Sequence, residues 1–199
     1  MKPNLSSTTL IIVDCVDLSR AALALERCTS KCNFASAKLL SSLKSSKQIT
    51  TEIPHISSIE QYSLFIIKEL YKYFDTDFVL VAQHDGFVWM PHMWTEDFLQ
   101  YDYIGAPWPK EVLQPGTPPF YDVGNGGFSL RSKKLQQTLG TDENIKLHPA
   151  EDVAICQINR EYLEDKGFKF APASVAKKFS WECMPCSPAF GSHGRMRLT

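Results

Sequence analysis

Val79-Leu80-Val81-Ala82 is apolar at every position, without the in-out alternation of a strand that has one wet face, and within three residues it reaches Asp85-Gly86. A strand buried on both faces belongs to a sheet covered by helices on each side, which is the setting of parallel strands. In such sheets ligands collect beyond the carboxyl ends of the strands, because only the edge loops stay reachable. The segment from Val79 is therefore expected to run as a strand into Asp85, with the carboxylate at the ligand edge. The alternative for Asp85-Gly86 is a plain turn.

The rest of the chain supports an α/β reading. Thr9-Leu10-Ile11-Ile12-Val13 is a β-branched run ending at Asp14, and apolar residues at helical spacing follow from Leu18 to Cys28. Phe34 to Leu40 gives a second strand, completing a βαβ opening, and a polar loop extends from Ser41 to Gln48. From Ser58 to Phe74 the apolar residues surround much of a helix pressed between layers, leading directly to the strand before Asp85. Pro109 to Pro119 holds four prolines and a glycine and is expected to be an irregular surface loop. Gly124-Asn125-Gly126-Gly127 turns into a strand beginning at Phe128, and Ser132 caps a helix from Lys133 to Leu139. A last helix is expected from after Pro149 to about Lys166.

A chain of 199 residues with this pattern is expected to form one domain over 1–199. Its 21 basic and 22 acidic side chains leave a formal charge of -1, so no global field recruits nucleic acid or an anionic membrane surface. No apolar run approaches the roughly 20 residues that span a bilayer, and the first residues lack the apolar stretch of a secretion signal. A cytoplasmic protein is expected. The six cysteines are dispersed through a chain that does not need disulfides for a core, and most are expected to be reduced. Cys183 and Cys186 form a C-x-x-C with His193 seven residues beyond, but a zinc site would need a fourth ligand at comparable spacing.

Several residue types could carry chemistry. Glu151 and Asp152 open the last helix, where the helix end favours ionised carboxylates, and either could serve as a general base; acidic enrichment at a helix start is the plain alternative. The G-x-G-G spacing from Gly124 lacks the third glycine of a dinucleotide fingerprint and precedes a strand, which disfavours a Rossmann cofactor site. Gly126 and Gly127 could admit a ligand close to the backbone, or simply make a tight turn. Trp89, Trp94 and Trp108, with Phe87, Tyr101 and Tyr103, could form a stacking wall for sugar rings or pack in the core. Arg131 could reach a phosphate, or pair with an acid on the surface.

The strings Gln83-His84-Asp85-Gly86-Phe87, Tyr101-Asp102-Tyr103-Ile104-Gly105-Ala106-Pro107-Trp108, Val123 to Ser132 (VGNGGFSLRS), Glu151-Asp152-Val153 and Phe190-Gly191-Ser192-His193-Gly194 occur in this order in DUF5672, a largely uncharacterised family of glycosyltransferase-like proteins. The chain resembles that family over nearly its whole length. The resemblance implies a single-domain, Rossmann-like fold of the A-type glycosyltransferases, with a mainly parallel central sheet flanked by helices. It implies transfer of a sugar from a nucleotide-sugar donor to a carbohydrate or other hydroxyl acceptor, assisted by Mn²⁺ or Mg²⁺ and proceeding with inversion. By the same resemblance Asp85 and His193 are metal ligands, Asp152 is the base with Glu151 its rival, and Asp14 contacts the base or ribose. Gln83, His84, Gly126, Gly127, Phe128 and Trp108 are the remaining donor-site and acceptor-site candidates. Where A-type enzymes commonly carry Asp-x-Asp, this chain has Gln83-x-Asp85. That departure motivates the alternative of a non-catalytic carbohydrate- or nucleotide-binding protein. A glycoside hydrolase would need two acids flanking one bond at a defined separation, and no such pairing is visible.

Overall fold

The computed structural model describes residues 2–45, 50–182 and 188–194. It opens with β1 (Asn4–Val13), α1 (Leu18–Lys31) and β2 (Asn33–Ser41), the expected βαβ unit. Asp17 starts α1 by accepting hydrogen bonds from the Ser19 and Arg20 amides, which have no partner within the first turn. The short β3 (Thr51–Glu52) pairs beside β2, after which α2 (Ile59–Lys68) and a 3₁₀ turn (Leu70–Tyr73) lead back to β4 (Phe78–Ala82). Then follow β5 (Phe87–Val88), β6 (Tyr103–Ile104), β7 (Ala106–Pro107), β8 (Val123–Gly124), β9 (Phe128–Ser132) and α3 (Lys133–Thr141). The chain continues through α4 (Glu151–Val153), α5 (Arg160–Asp165), α6 (Ala173–Phe179), β10 (Ser180–Trp181) and β11 (Gly191–Ser192).

The central sheet has the order β3-β2-β1-β4-β9-β6. Its first four strands are parallel, and β9 joins β4 and β6 antiparallel. This is the expected α/β architecture with a mainly parallel sheet. Alternation along β1 and β4 explains the layering. Leu10, Ile12, Leu80 and Ala82 face a core with Ala21, Ala24 and Cys28 of α1 and Ala176 and Phe179 of α6. Ile11, Val13, Val79 and Val81 face Phe65 and Ile66 of α2 on the opposite side. A third cluster packs Leu135 and Leu139 of α3 against Ile155, Leu163 and Tyr103.

The expected boundaries shift in three places. β4 stops at Ala82 and Asp85 lies in the following turn, because the Gly86 amide donates to the Gln83 carbonyl at 3.0 Å and reverses the chain. The helix expected from Pro149 to Lys166 is interrupted by a π turn at Ala154–Ile158, since the backbone N–H and the side-chain amide of Asn159 both bond to the Ala154 carbonyl. The proline-rich stretch contains one 3₁₀ turn, Lys110–Val112. The C-x-x-C pair, Cys183 and Cys186, lies outside the described residues. None of the helices described is long and apolar enough to cross a membrane.

Candidate active site at the switch point of the sheet

From β1 the chain steps outward to β2 and β3, then returns through α2 to β4 on the other side of β1. The strand order thus reverses between β1 and β4, leaving a crevice outside their carboxyl ends, the preferred ligand position in open α/β sheets. A cleft of about 390 Å³ opens there, lined by Asp14, Arg20, Ser58, Tyr62, Gln83 and His84 among others. Asp14 Oδ1 is engaged by the Val16 and Asp17 amides at 2.7 and 2.8 Å, which shapes the turn into α1. Its Oδ2 lies 4.0 Å from His84 Nδ1. Asp14 therefore has a structural task on one oxygen and a cleft-facing one on the other.

Next to this cleft the β4–β5 turn meets the β8–β9 turn backbone to backbone. The Gln83 amide donates to the Gly127 carbonyl at 3.0 Å, and a Cβ on Gly86 would come within 2.0 Å of that same oxygen. Asn125 holds the second turn in the left-handed region at φ 74°, with its Oδ1 accepting from the Gly127 amide and its carbonyl accepting from the Tyr103 hydroxyl. The C-terminal strand β11 then delivers His193 onto this turn. His193 Nε2 faces Gln83 Oε1 at 3.2 Å and Asp85 Oδ1 at 3.3 Å, while Nδ1 meets Glu182 Oε1 at 2.8 Å. The structure brings Asp85 and His193 together although 108 positions separate them in sequence.

Burial works against the charge on His193, but the Asp85 and Glu182 carboxylates beside it outweigh that and raise the pKa to about 9. The same contact holds the Asp85 carboxyl below its ordinary range. Apart from this ion pair Asp85 Oδ1 is buried without a well-aligned hydrogen bond. Among the described residues no group of three His, Cys, Asp or Glu side chains is placed to hold a metal ion. The donors that do converge are one carboxylate, one imidazole and the neutral Gln83 carbonyl. That set fits Mn²⁺ or Mg²⁺ only as a partial shell, of the kind that substrate phosphates and water complete.

The acidic pair divides. Glu151 is buried beside Arg131, whose Nη2 donates to both carboxylate oxygens, and burial raises the Glu151 pKa against the pull of the guanidinium. Arg131 does pair with an acid, but in the interior and not on the surface. Glu151 is thereby occupied as a counter-ion and is not free to serve as a base. Asp152 is partly exposed, with Oδ2 accepting from the Gly126 amide at 3.0 Å and Oδ1 from the Val153 amide at 2.8 Å.

Other expected contacts resolve differently. The space that a Cβ on Gly126 would fill is taken by Glu151 Oε1 at 2.1 Å, and that on Gly127 by the His193 ring at 2.1 to 2.4 Å. These glycines make room for the protein's own site residues, not for a ligand. Phe128 is fully buried against Phe179 and Phe190, beneath Gly191, and so is part of the core. Trp108 packs its ring on Gly124 and donates from Nε1 to Glu182 Oε2 at 3.2 Å, behind the site. Phe87 and Tyr103 are buried, and Trp94 packs edge-on to Phe98 and tilted against Phe190, so the aromatic density is mainly core packing and not a stacking wall. Glu182 escaped notice in the sequence: it is a lone acid in no motif, and only the fold sets it beside His193.

Fold and site together define an α/β protein with a mainly parallel central sheet and a polar cluster at its ligand edge. The chain belongs to the family described as protein of unknown function (DUF5672), whose model matches residues 45–193. The match takes in the quoted strings as far as His193 but leaves β1, α1 and β2, and with them Asp14, outside it, so it covers less than the nearly whole length expected from the resemblance. No curated protein matches the chain. Among solved structures it is similar to an active-site mutant of LgtC, with a TM-score of 0.53 and 13% identity over 93% of this chain and 86% of that one. The galactosyltransferase LgtC in complex with donor and acceptor sugar analogs gives a TM-score of 0.50 at the same identity and coverage. The bifunctional IspDF from Campylobacter jejuni also gives 0.50, at 14% identity over 82% of this chain; the chain spans 48% of that protein. At these identities the likeness is one of fold.

Proposed function

We propose that this protein is a metal-assisted glycosyltransferase that moves a sugar from a nucleotide-sugar donor to an acceptor hydroxyl with inversion. The observation that carries the reading is the buried Asp85 Oδ1, without a well-aligned hydrogen bond, facing His193 Nε2 and Gln83 Oε1 at the rim of the switch-point cleft. The cleft accepts the nucleoside, with the free oxygen of Asp14 and the His84 ring as its polar contacts. Asp85 and His193, with the Gln83 carbonyl, would hold a divalent cation. Bound there with the diphosphate, Mn²⁺ or Mg²⁺ would supply charge neutralisation for the departing nucleotide. Asp152 removes the proton of the acceptor hydroxyl, which then attacks the anomeric carbon from the face opposite the leaving group. The Gly126 amide orients that carboxylate by holding one of its oxygens.

One observation favours a second reading. Gln83 places a neutral carbonyl where a second carboxylate would strengthen cation binding, which suits a non-catalytic protein that binds nucleotides or carbohydrates on the same fold. Calorimetric titration with a panel of nucleoside diphosphates, with and without Mn²⁺, separates the two. Binding of one nucleotide that tightens with Mn²⁺ supports the transferase, and equal binding with and without the cation supports the binding protein.

A further inference from the structure

His193 reaches the site from a strand that lies outside the central sheet. β11 pairs with β10 and β5, and its own hydrogen bonds hold the backbone of Gly191 and Ser192 but not the imidazole beyond them. The ring is fixed by three other contacts. It rests on the open face of Gly127, its Nε2 points at Gln83 and Asp85, and its Nδ1 meets Glu182 Oε1 at 2.8 Å, the shortest of its polar contacts. Glu182 is itself held: Oε2 accepts from Trp108 Nε1 at 3.2 Å, and the Trp108 ring is packed onto Gly124, where a Cβ would come within 2.0 Å of it. A continuous chain of contacts thus runs from Gly124 at the end of β8 through Trp108 and Glu182 to His193.

The structure assigns to Glu182 the role of positioning residue for His193: it engages Nδ1 and so commits Nε2 to the side of Asp85 and Gln83. This rests on the cation reading of the site. The physical reason is that an imidazole has two nitrogens and a free rotation about its ring bond, so whichever nitrogen is taken by an outer carboxylate decides which one is presented to a cation. A carboxylate in this place accepts only, which keeps a proton on Nδ1 and leaves Nε2, the nitrogen turned to Asp85 and Gln83, as the one that would face a cation. An amide there could donate instead and reverse that choice.

The test uses the whole chain and Mn²⁺ as the probe, alone and with inorganic pyrophosphate, so that no nucleotide need be known. Mn²⁺ dissociation constants are measured for the wild type and for Glu182→Gln, with the nitrogen modulation of the bound Mn²⁺ electron-spin echo reporting imidazole coordination. Glu182→Gln is expected to weaken Mn²⁺ binding by about 10- to 100-fold and to reduce the nitrogen modulation, while circular dichroism stays that of the wild type. Trp108→Phe, which leaves the Glu182–His193 contact in place, is expected to weaken it less. Should Glu182→Gln fail to fold, Glu182→Asp, which retracts the carboxylate by one methylene, is expected to give the same loss in smaller degree. Wild-type affinity and modulation in a folded Glu182 variant would overturn the role of Glu182 and leave the cation reading standing. Absence of Mn²⁺ binding to the wild type under both conditions would overturn the cation reading, and this inference with it.

Discussion

Arg131 Nη2 lies 2.9 and 3.1 Å from the two carboxylate oxygens of Glu151, in a position where neither side chain reaches solvent beyond a few per cent of its surface. Removing one partner of such a pair leaves the other charge uncompensated in the interior, which costs about 3–5 kcal/mol. Glu151→Gln is expected to lose stability on that scale in urea titration. Asp152→Asn is expected to lose much less, since the amide oxygen can still accept from the Gly126 N–H and only the local bond from the Val153 N–H is given up. With a working donor and acceptor, Asp152→Asn is expected to retain donor binding and lose transfer by about 10²-fold or more. Transfer at the wild-type rate in that variant would remove Asp152 from the mechanism.

Gly127→Ala tests the contact between the glycine turn and the imidazole. The new Cβ would fall within 2.1 Å of the His193 ring, so the ring must move away from Asp85 and Gln83. The core beneath is untouched, because Phe128 and its neighbours pack on the other side of the strand. Mn²⁺ binding is expected to drop by at least tenfold with little change in far-ultraviolet circular dichroism. Unchanged affinity would mean that His193 does not contribute to the cation site.

Gln83→Asp restores a second carboxylate to the turn. In the present site Asp85 supplies the one full negative charge facing His193 Nε2, and Gln83 offers a dipole at 3.2 Å. Adding a charge to a hard-cation shell raises affinity for the bare ion. The expected result is at least a tenfold tighter Mn²⁺ constant without pyrophosphate, and a smaller gain from adding pyrophosphate. A variant that binds the bare ion no better than the wild type would place the cation elsewhere.

The protonation of His193 links stability to pH. Its folded pKa, raised to about 9 by Asp85 and Glu182 against the opposing effect of burial, lies above the 6.5 of an ordinary imidazole. The folded state therefore binds this proton more tightly, and the stabilisation is complete below pH 6.5 and lost as pH rises from about 6.5 to about 9. At roughly 1.4 kcal/mol per unit this amounts to something on the order of 3 kcal/mol. Denaturant titrations in a chelator at pH 6 and pH 9.5 are expected to show a decline in the wild type that His193→Gln lacks. Parallel pH profiles would contradict the Asp85–His193–Glu182 arrangement.

How much of this was legible in the sequence varied with the range of the interactions involved. The strands β1, β2 and β4 and the helix α1 were readable because unbroken apolar runs and helical spacing record burial locally, residue by residue. The end of β4 was legible only as an alternative: Asp85-Gly86 allowed a turn, but that it begins at Gln83, through the bond from the Gly86 amide, had no local signal. Asp85 and His193 could be paired only through the family resemblance, since nothing in their own neighbourhoods points from one to the other. The fates of Glu151 and Asp152 differ although they are adjacent, as successive positions in a helical turn face different surroundings. Arg131, three positions beyond the start of β9, faces one of them. Glu182 had no local signal at all.

The three-stranded sheet of β10, β11 and β5 acts as a clasp that holds the segment bearing His193 against the rest of the fold. Phe190, the residue before β11, is buried in the same cluster as Phe128 and Phe179, so the segment that carries His193 belongs to the main core. A chain without that segment would lack His193 and also one wall of the core beneath the Gly127 turn. Closure of the core around the Phe128 ring and placement of the imidazole on Gly127 are therefore one and the same packing event.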